Sequence, residues 1–344
     1  MADMHRIYVL IITVMLGSAG FTPTSAHAQR APLCFNVPGI PHCIEGRFRE
    51  YWEQNGGLPV FGYPLTAATT ERTAEGSFLT QYFERNRFEL HPENVRPYDV
   101  LLGRLGDDRL HQQGRRWQDF GAGQATTGCL FFRETGHSIC DLEAGVGFQT
   151  YWAGHGVQDP QLSPFQRSLA LFGLPLSELT VETNATGDTV ITQWFERARF
   201  EYHLTNPRQS RVLLGLVGTE IRTPPPPAAP LPAPAPDPFP ACNGIGAAEN
   251  AIAAPNCSAF GALISIAVFG FAPNEEIRFG VTSAAGAAVG RSATMPVGVN
   301  GFATIELDTK GFLGGELRPG DYIFRAEDTA GRNQTAHAPF RVLP

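Results

Sequence analysis

Two stretches of the sequence place acidic, basic and aromatic side chains close together, and they do so at the same spacing. The first spans residues 81–91 and the second spans residues 193–203, so the second follows the first by 112 positions. Both contain two Glu, two Arg and a final His at matching positions. The candidate ligand-binding side chains are three residues of the first stretch and their repeats in the second: Tyr82, Glu84, Arg87, Trp194, Glu196 and Arg199.

Paired carboxylates are the groups that a glycoside hydrolase needs, because one acid protonates the leaving sugar and the other attacks it or activates water. Glu84 with Glu89, or Glu196 with Glu201, could form such a pair. On one straight strand, however, residues five positions apart point to opposite faces, although a turn between them could bring them together. The neighbouring arginines suit a lattice of Glu–Arg pairs that stabilises a hairpin. We therefore predict no catalytic residue, and a glycan hydrolase is the alternative.

The aromatic residues divide into two groups by the same alternation along the strand. Phe83 and Phe195 fall on the face opposite to the acidic residues, as core side chains do. Tyr82 and Trp194 share a face with Glu84 and Glu196. An aromatic ring beside polar groups can stack on a sugar, so these two rings are the aromatic residues that we expect to contact a partner.

The repeat also predicts the elements that position these residues. In the first copy, apolar residues at helical spacing predict a helix over residues 46–56, and alternation predicts strands over 77–84 and 87–91. The second copy follows the same order. We therefore predict a multi-domain chain whose α+β repeat modules of short helices and a β-hairpin span residues 34–106 and 129–220, joined by a loosely structured connector at 107–128.

The remainder of the chain has a different composition. Proline and alanine dominate residues 221–240, which predicts a stiff polyproline II spacer of roughly 55 Å. Residues 241–344 alternate between apolar strands and Gly, Asp or Asn turns, which predicts an all-β sandwich. This region resembles the immunoglobulin-like domains appended to bacterial exported proteins, notably at residues 271–275 and 319–322.

The first residues are typical of a secretory signal peptide. An apolar run over 7–16 follows Arg6, and Ala26-His27-Ala28 has the small-x-small pattern of a cleavage site, which predicts a signal peptide at residues 1–28. The alternative is an uncleaved membrane anchor, although the run is shorter than the ~20 residues of a spanning helix. We expect a secreted or cell-surface protein. It would contact the membrane, if at all, only through an uncleaved signal segment.

The six cysteines favour disulfides over metal binding. They fall into three close pairs, one in each proposed unit, and an exported chain is oxidised. Their spacing matches no zinc or redox motif, so we predict no metal site. The expected pairs are Cys34 with Cys43, Cys129 with Cys140, and Cys242 with Cys257.

The net charge of −7 argues against a nucleic-acid partner, because phosphate binding needs a concentrated basic surface. The sequence contains no Gly-x-Ser-x-Gly elbow and no His-Glu-x-x-His pair, and its Gly-rich pieces lack the Lys and Ser or Thr of a phosphate loop. We therefore expect no cofactor and no nucleic-acid partner.

Both copies resemble the LGFP-type cell-wall repeat of exported bacterial proteins. The matching residues of the first copy are Gly56-Gly57, Phe61-Gly62-Tyr63-Pro64, Phe83-x-x-Asn86-x-Phe88 and Val100-x-x-Gly103. Those of the second are Phe172-Gly173-Leu174-Pro175, Phe195-x-x-Ala198-x-Phe200 and Val212-x-x-Gly215. The copies depart from the family where Phe-Gly replaces Leu-Gly and where Asn86 and Ala198 stand at a usual Gly. The resemblance implies attachment to, or organisation of, the cell envelope and no catalytic residue.

Together these features predict an exported, non-enzymatic binding protein of the cell surface or envelope. The expected partner is cell-wall or another extracellular polysaccharide, recognised through the tandem modules, or another surface protein. Besides the hydrolase, the second alternative is a structural or protein-interaction array that binds no small ligand.

Overall fold

The computed structural model describes residues 30–72, 76–123, 125–223, 242, 246–248, 250–299 and 301–344. Residues Pro32–Pro344 form one compact unit. The predicted signal peptide at 1–28 lies outside the described residues, and so does the predicted spacer from residue 224 onwards. The described part is mostly β-sheet with a few short helices, which confirms the β-rich character predicted for the chain.

The first repeat begins with a disulfide-closed hairpin and continues through two helices into an antiparallel sheet. The predicted disulfide Cys34–Cys43 joins the two strands of the hairpin. The sheet has the order β3-β4-β5-β6, so the predicted hairpin is the centre of four strands. The elements are β1 (Leu33–Cys34), β2 (Cys43–Ile44), α1 (Gly46–Gln54), α2 (Gly57–Phe61), β3 (Thr69–Arg72), β4 (Ser77–Tyr82), β5 (Arg87–Leu90), β6 (Val100–Leu102) and α3 (Leu105–Gln112).

Helix α1 forms where its apolar spacing predicts it, since Phe48, Tyr51 and Trp52 are buried on one face. Residues Gly57–Phe61, which follow it, form the short helix α2. Gly56 takes a left-handed conformation with φ of 111°, which lets the chain turn at once from α1 into α2. Pro59 is tolerated there because it lies in the first turn of the helix.

The second repeat has the same sheet order, β11-β12-β13-β14, and the equivalent register, with Tyr82 opposite Arg87 and Trp194 opposite Arg199. The predicted disulfide Cys129–Cys140 is present. At the start of the second helix of this repeat, Ser163 and Gln166 form a capping box and Pro164 is the first helical residue. The elements are β7 (Leu130–Phe132), β8 (His137–Ile139), β9 (Asp141–Glu143), β10 (Val146–Gly147), α4 (Phe148–Gly154), α5 (Pro164–Phe172), β11 (Thr180–Thr183), β12 (Thr189–Trp194), β13 (Arg199–Tyr202), β14 (Val212–Leu214) and α6 (Val217–Arg222).

The two repeats pack against each other through equivalent contacts. Arg85, at the turn after β4, donates from Nε to the carbonyl oxygen of Leu214 at 3.1 Å. Arg197, its counterpart, donates from Nε to the carbonyl oxygen of Leu102 at 3.2 Å. Each repeat therefore inserts its central turn against the last strand of the other, and the pair has approximate twofold symmetry.

Helices α3 and α6 complete this junction, so the first part of the predicted loose connector is ordered. Leu105 and Leu110 of α3 are buried with Val217 of α6 and with Trp194. The sequence of α3 reads as polar because the helix has only this narrow apolar stripe, and the other repeat supplies the surface that covers it. A 3₁₀ turn at Trp117–Asp119 follows. Helix α6 likewise continues to Arg222, past the predicted start of the spacer.

Residues after the spacer form two sheets that face each other across a shared core. One sheet has the order β15-β16-β18-β21 and the other β17-β23-β22-β19-β20. The third predicted disulfide, Cys242–Cys257, is present. The strands are β15 (Gly246–Ala248), β16 (Ala251–Ala254), β17 (Cys257–Ala259), β18 (Leu263–Val268), β19 (Glu276–Ser283), β20 (Ala288–Pro296), β21 (Ala303–Asp308), β22 (Gly320–Asp328) and β23 (Thr335–Leu343).

This two-sheet part contacts the second repeat directly. Phe302 lies with its ring centroid 6.4 Å from that of Tyr202. Ile252 and Phe269 belong to the same buried cluster as the second repeat's Phe200. The surfaces of the two parts therefore touch and share buried apolar area.

Candidate functional site

In the second repeat, the predicted site residues lie buried in a network of charges. Arg199 donates from Nη2 to Glu201 Oε1 at 2.5 Å and to Glu220 Oε1 at 2.6 Å. Trp194 is fully buried, with the guanidinium carbon of Arg199 5.1 Å from its ring centroid. Its indole Nε1 donates to Glu182 at 3.0 Å. Trp194 and Arg199 therefore stabilise the contact with α6 and α3 in this structure.

The first repeat contains the same network in a more open form. Arg87 lies 2.6 Å from Glu89 and 3.5 Å from Asp108, which is the counterpart of Glu220. The side chain of Asp108 is 45% exposed, whereas that of Glu220 is 6% exposed. Tyr82 is half-buried, with the guanidinium carbons of Arg87 and Arg222 at 5.7 and 4.8 Å from its ring centroid.

Glu84 and Glu196 stabilise the turns through which each repeat contacts the other. Glu84 Oε2 accepts a hydrogen bond from the backbone N–H of Tyr63 at 3.0 Å. Glu196 Oε2 accepts one from the N–H of Leu174 at 3.2 Å, and its Oε1 lies 2.9 Å from Arg104 of the other repeat. The six candidate residues are thus divided between two equivalent clusters and do not converge on one site.

A cavity of about 190 Å³ lies where the second repeat meets the turn of the first. Arg85 comes from the first repeat, and the other lining residues come from the second. The lining has an apolar part and a polar part, and the polar part is called the rim. The apolar part consists of the exposed Leu213, of Leu216, and of Leu214, whose side chain is buried in the core, and the rim includes Asn184, Thr186, Asp188, Arg199, Glu201 and His203.

The turn between β11 and β12 fixes the rim in place. Asn184 Oδ1 accepts hydrogen bonds from the N–H groups of Thr186 at 3.1 Å and Asp188 at 2.9 Å. Its Nδ2 donates to Glu201 Oε2 at 3.0 Å. His203 Nε2 lies 3.2 Å from the same carboxylate oxygen. The amide of Asn184 therefore ties the exposed turn to the buried carboxylate of Glu201.

Glu201 is held as an anion. Burial alone would raise the pKa of Glu201, but the hydrogen bond from His203 and the charge of Arg199 outweigh burial and lower that pKa to about 2. A carboxyl with so low a pKa accepts hydrogen bonds at neutral pH and is a poor proton donor. Glu201 is therefore unsuited to be the protonated acid of a glycoside-hydrolysing pair.

This low pKa predicts a specific loss of stability in acid. Because the pKa of Glu201 in the folded state lies below its ordinary value of 4.5, the stabilisation is present above pH ~4.5 and is lost as the pH falls towards 2. The shift corresponds to about 3 kcal/mol of free energy of unfolding. We expect urea unfolding to give Glu201→Gln a free energy of unfolding well below that of the wild type at pH 7. The difference should be smaller at pH 3. A difference that stays constant over this range would contradict the assignment.

Sequence reasoning missed Asn184, Asp188 and Leu213 as members of a site. The stretch Asn184-Ala185-Thr186-Gly187-Asp188 has the composition of a side-chain-stabilised turn, and this signal could have marked a fixed polar rim. The equivalent stretch of the first sequence copy reads Thr73-Ala74-Glu75-Gly76 and lacks both the amide and the Asp. Only the second copy therefore carries these rim groups.

Comparison with known proteins adds little to this description. No family model matches the sequence, and no curated protein matches it. One solved structure, the CARDB domain of a Pyrococcus furiosus protein in complex with di-metal ions, covers 27% of this chain and 88% of its own length. The identity is 13% and the TM-score is 0.19, a level at which the similarity supports no argument.

Two features of the described residues concern membranes and metals. Among them, no helix combines the length and apolar character that a bilayer crossing demands. Within the same residues, no group of three or more His, Cys, Asp or Glu side chains is arranged to hold a metal ion.

Proposed function

We propose that this chain is an exported, non-enzymatic binding protein of the cell surface or envelope, and that it binds a glycan in the cavity between its two repeats. The single observation that carries the proposal is the lining of that cavity, which combines an exposed leucine with a fixed polar rim. Ligand sites commonly lie at domain interfaces and combine apolar walls with a few placed polar groups.

The chemistry of the cavity suits a sugar ring. A sugar has an apolar C–H face, which can lie on the exposed Leu213, and hydroxyl groups around its edge. Asp188 accepts hydrogen bonds from hydroxyls, and Arg85 donates them. The volume of about 190 Å³ is below the roughly 300–1,000 Å³ of sites for drug-sized ligands, so a single ring of a longer chain is the expected occupant.

The export of the protein is supported by its three disulfides, which persist in oxidising compartments. The resemblance of both repeats to the LGFP-type cell-wall repeat favours the envelope as the place where it acts. In this proposal the two α+β modules form one binding unit, and the immunoglobulin-like sandwich extends from it.

A cell-wall retention assay tests the proposal with a matched pair of variants. Leu213 and Leu101 occupy the same position in β14 and β6, and they are 40% and 38% exposed. Each lies opposite a Glu on the neighbouring strand, Glu201 or Glu89, so an Arg at either position gains a cross-strand partner. Leu213→Arg fills the cavity, whereas Leu101→Arg adds the same charge elsewhere.

We expect the chain from residue 30 onwards to be retained on insoluble bacterial cell walls or on a purified extracellular polysaccharide. Leu213→Arg should weaken retention by about tenfold or more, and Leu101→Arg should leave it unchanged. No reducing ends should be released. Absence of retention by the wild type would contradict glycan binding and favour an interaction array, and release of reducing ends would favour the hydrolase.

A further inference from the structure

The outward face of the five-stranded sheet carries a second, larger cavity of about 420 Å³. It lies on β19, β20, β22 and β23, on the side of the sheet opposite to the shared core. Its lining includes Arg278, Gly280, Ser292, Arg325, Glu327 and His337. None of these residues belongs to either repeat, so the cavity is distinct from the one between the repeats.

A glycine in the middle of the sheet creates this trough. Gly280 of β19 lies opposite Arg325 of β22, which in turn lies opposite His337 of β23. A Cβ added at Gly280 would lie 3.7 Å from the Cα of Ser292 and 3.8 Å from its Cβ, which is ordinary contact. The space above Gly280 is therefore free for another molecule. A glycine inside a strand often marks such a close approach.

The charges around the trough are unbalanced. Arg278 and Glu327 form a 3.3 Å ion pair, but both side chains are more than half exposed, so the pair contributes little. Arg325 donates from Nε to Thr282 Oγ1 at 3.4 Å, and no ion pair of Arg325 is found among the residues that the structure describes. Two guanidinium groups thus stand beside one carboxylate, on a chain whose net charge is −7.

We propose that this trough binds an acidic polysaccharide through the carboxylates of its uronic acid units. Guanidinium groups bind carboxylates with two parallel hydrogen bonds, and Arg325 is available for such a contact. The flat floor at Gly280 admits a sugar ring between the two arginines, and the hydroxyl of Ser292 can bond to its hydroxyls. The site is independent of the glycan site between the repeats.

Two variants test the trough without threatening the fold. Gly280→Val fills the space, and it suits a strand because Val has high β-propensity and Gly280 shows no left-handed φ. Arg325→Gln removes the guanidinium that is proposed to bind the carboxylate. The control is Arg318→Gln, which removes the same charge from a side chain that is almost fully exposed outside the trough.

The measurement is binding of the chain from residue 30 onwards to polygalacturonate, with the methyl-esterified polymer as an uncharged control. We expect wild type and Arg318→Gln to bind with equal affinity. The affinity of Gly280→Val and Arg325→Gln should be lower by about tenfold or more. The esterified polymer should not bind.

Three results would each overturn this proposal. They are wild-type affinity of Gly280→Val, equal affinity of the wild type for the esterified polymer and polygalacturonate, and no binding of polygalacturonate by the wild type. Leu213→Arg, which fills the cavity between the repeats, should bind polygalacturonate as the wild type does. The two proposed sites can therefore fail separately.

Discussion

Gly106→Ala and Gly218→Ala are expected to disrupt the junction of the two repeats, although each adds a single methyl group. A Cβ at Gly106 would lie 1.9 Å from the carbonyl oxygen of Phe195, and a Cβ at Gly218 would lie 2.0 Å from that of Phe83. Both distances are far below any permitted contact, and backbone atoms cannot rotate away as a flexible side chain can. We expect each change to cost roughly 3–5 kcal/mol of unfolding free energy.

These glycines are needed because the helices bond directly to the turns of the other repeat. The N–H of Gly106 donates to the carbonyl oxygen of Glu196 at 3.1 Å, and the N–H of Thr219 donates to that of Glu84 at 3.1 Å. A side chain at either glycine would push the helix off the turn and break these bonds. The damage would extend to Arg85 and Arg197, whose bonds cross the same junction.

Gly154→Ala provides the matched control, since Gly154 is also helical and a Cβ there meets nothing within 4 Å. This change should be neutral or stabilise α4 by up to ~1 kcal/mol. Thermal or urea unfolding of the three variants measures the difference. If Gly106→Ala and Gly218→Ala unfold at the same midpoint as Gly154→Ala, the close packing of the repeats is wrong.

Arg199→Met is the second change with a large expected effect. The variant leaves Glu201 and Glu220 buried without the guanidinium that lies 2.5 and 2.6 Å from them. Removing one partner of a buried ion pair typically costs 3–5 kcal/mol, because the remaining charge is uncompensated. We expect a loss of that order in the free energy of unfolding at pH 7.

Arg87→Met is the matched control for this prediction, because Arg87 occupies the same position in the first repeat. Its partner Asp108 is 45% exposed, so water can solvate that carboxylate when the arginine is gone, whereas its other partner Glu89 is 10% exposed and would lose its guanidinium. We expect a smaller loss there than for Arg199→Met, of roughly 1–3 kcal/mol. Equal losses for the two variants in urea unfolding would show that the two networks do not differ in burial.

Much of the local structure is predictable from the sequence. The repeated stretch identifies β4, β5, β12 and β13, and its alternation correctly places Phe83 and Phe195 in the core. The capping signals at Ser163 identify the start of α5. The disulfides follow from cysteines that lie close in sequence. These features depend on residues that lie close together in the sequence.

Contacts between the repeats are not predictable in this way. Tyr82 and Trp194 occupy equivalent positions, yet Tyr82 is half-buried and Trp194 is fully buried. The difference arises because residues distant in sequence, including Leu105, Leu110 and Leu176, pack around Trp194. The alternation of the strand places both rings on the same face but cannot show what covers that face.

The candidate cavity is likewise formed by contacts between residues that are distant in sequence. Arg85 and Asn184 meet there only because the turn of the first repeat reaches the second. Strand alternation places Glu201 correctly beside Arg199, but it cannot reveal that His203 and Asn184 also bond to that carboxylate. A site formed by residues of two repeats can be recognised only when the packing of the repeats is known.

The most direct test of glycan binding between the repeats is calorimetric titration of Leu213→Arg and Leu101→Arg with soluble glycan fragments released from bacterial cell walls. The two variants carry the same added charge at equivalent strand positions, and only the first fills the cavity. We predict that Kd is about tenfold or more higher for Leu213→Arg than for Leu101→Arg, which should bind like the wild type. Equal Kd values for the two variants would contradict the account.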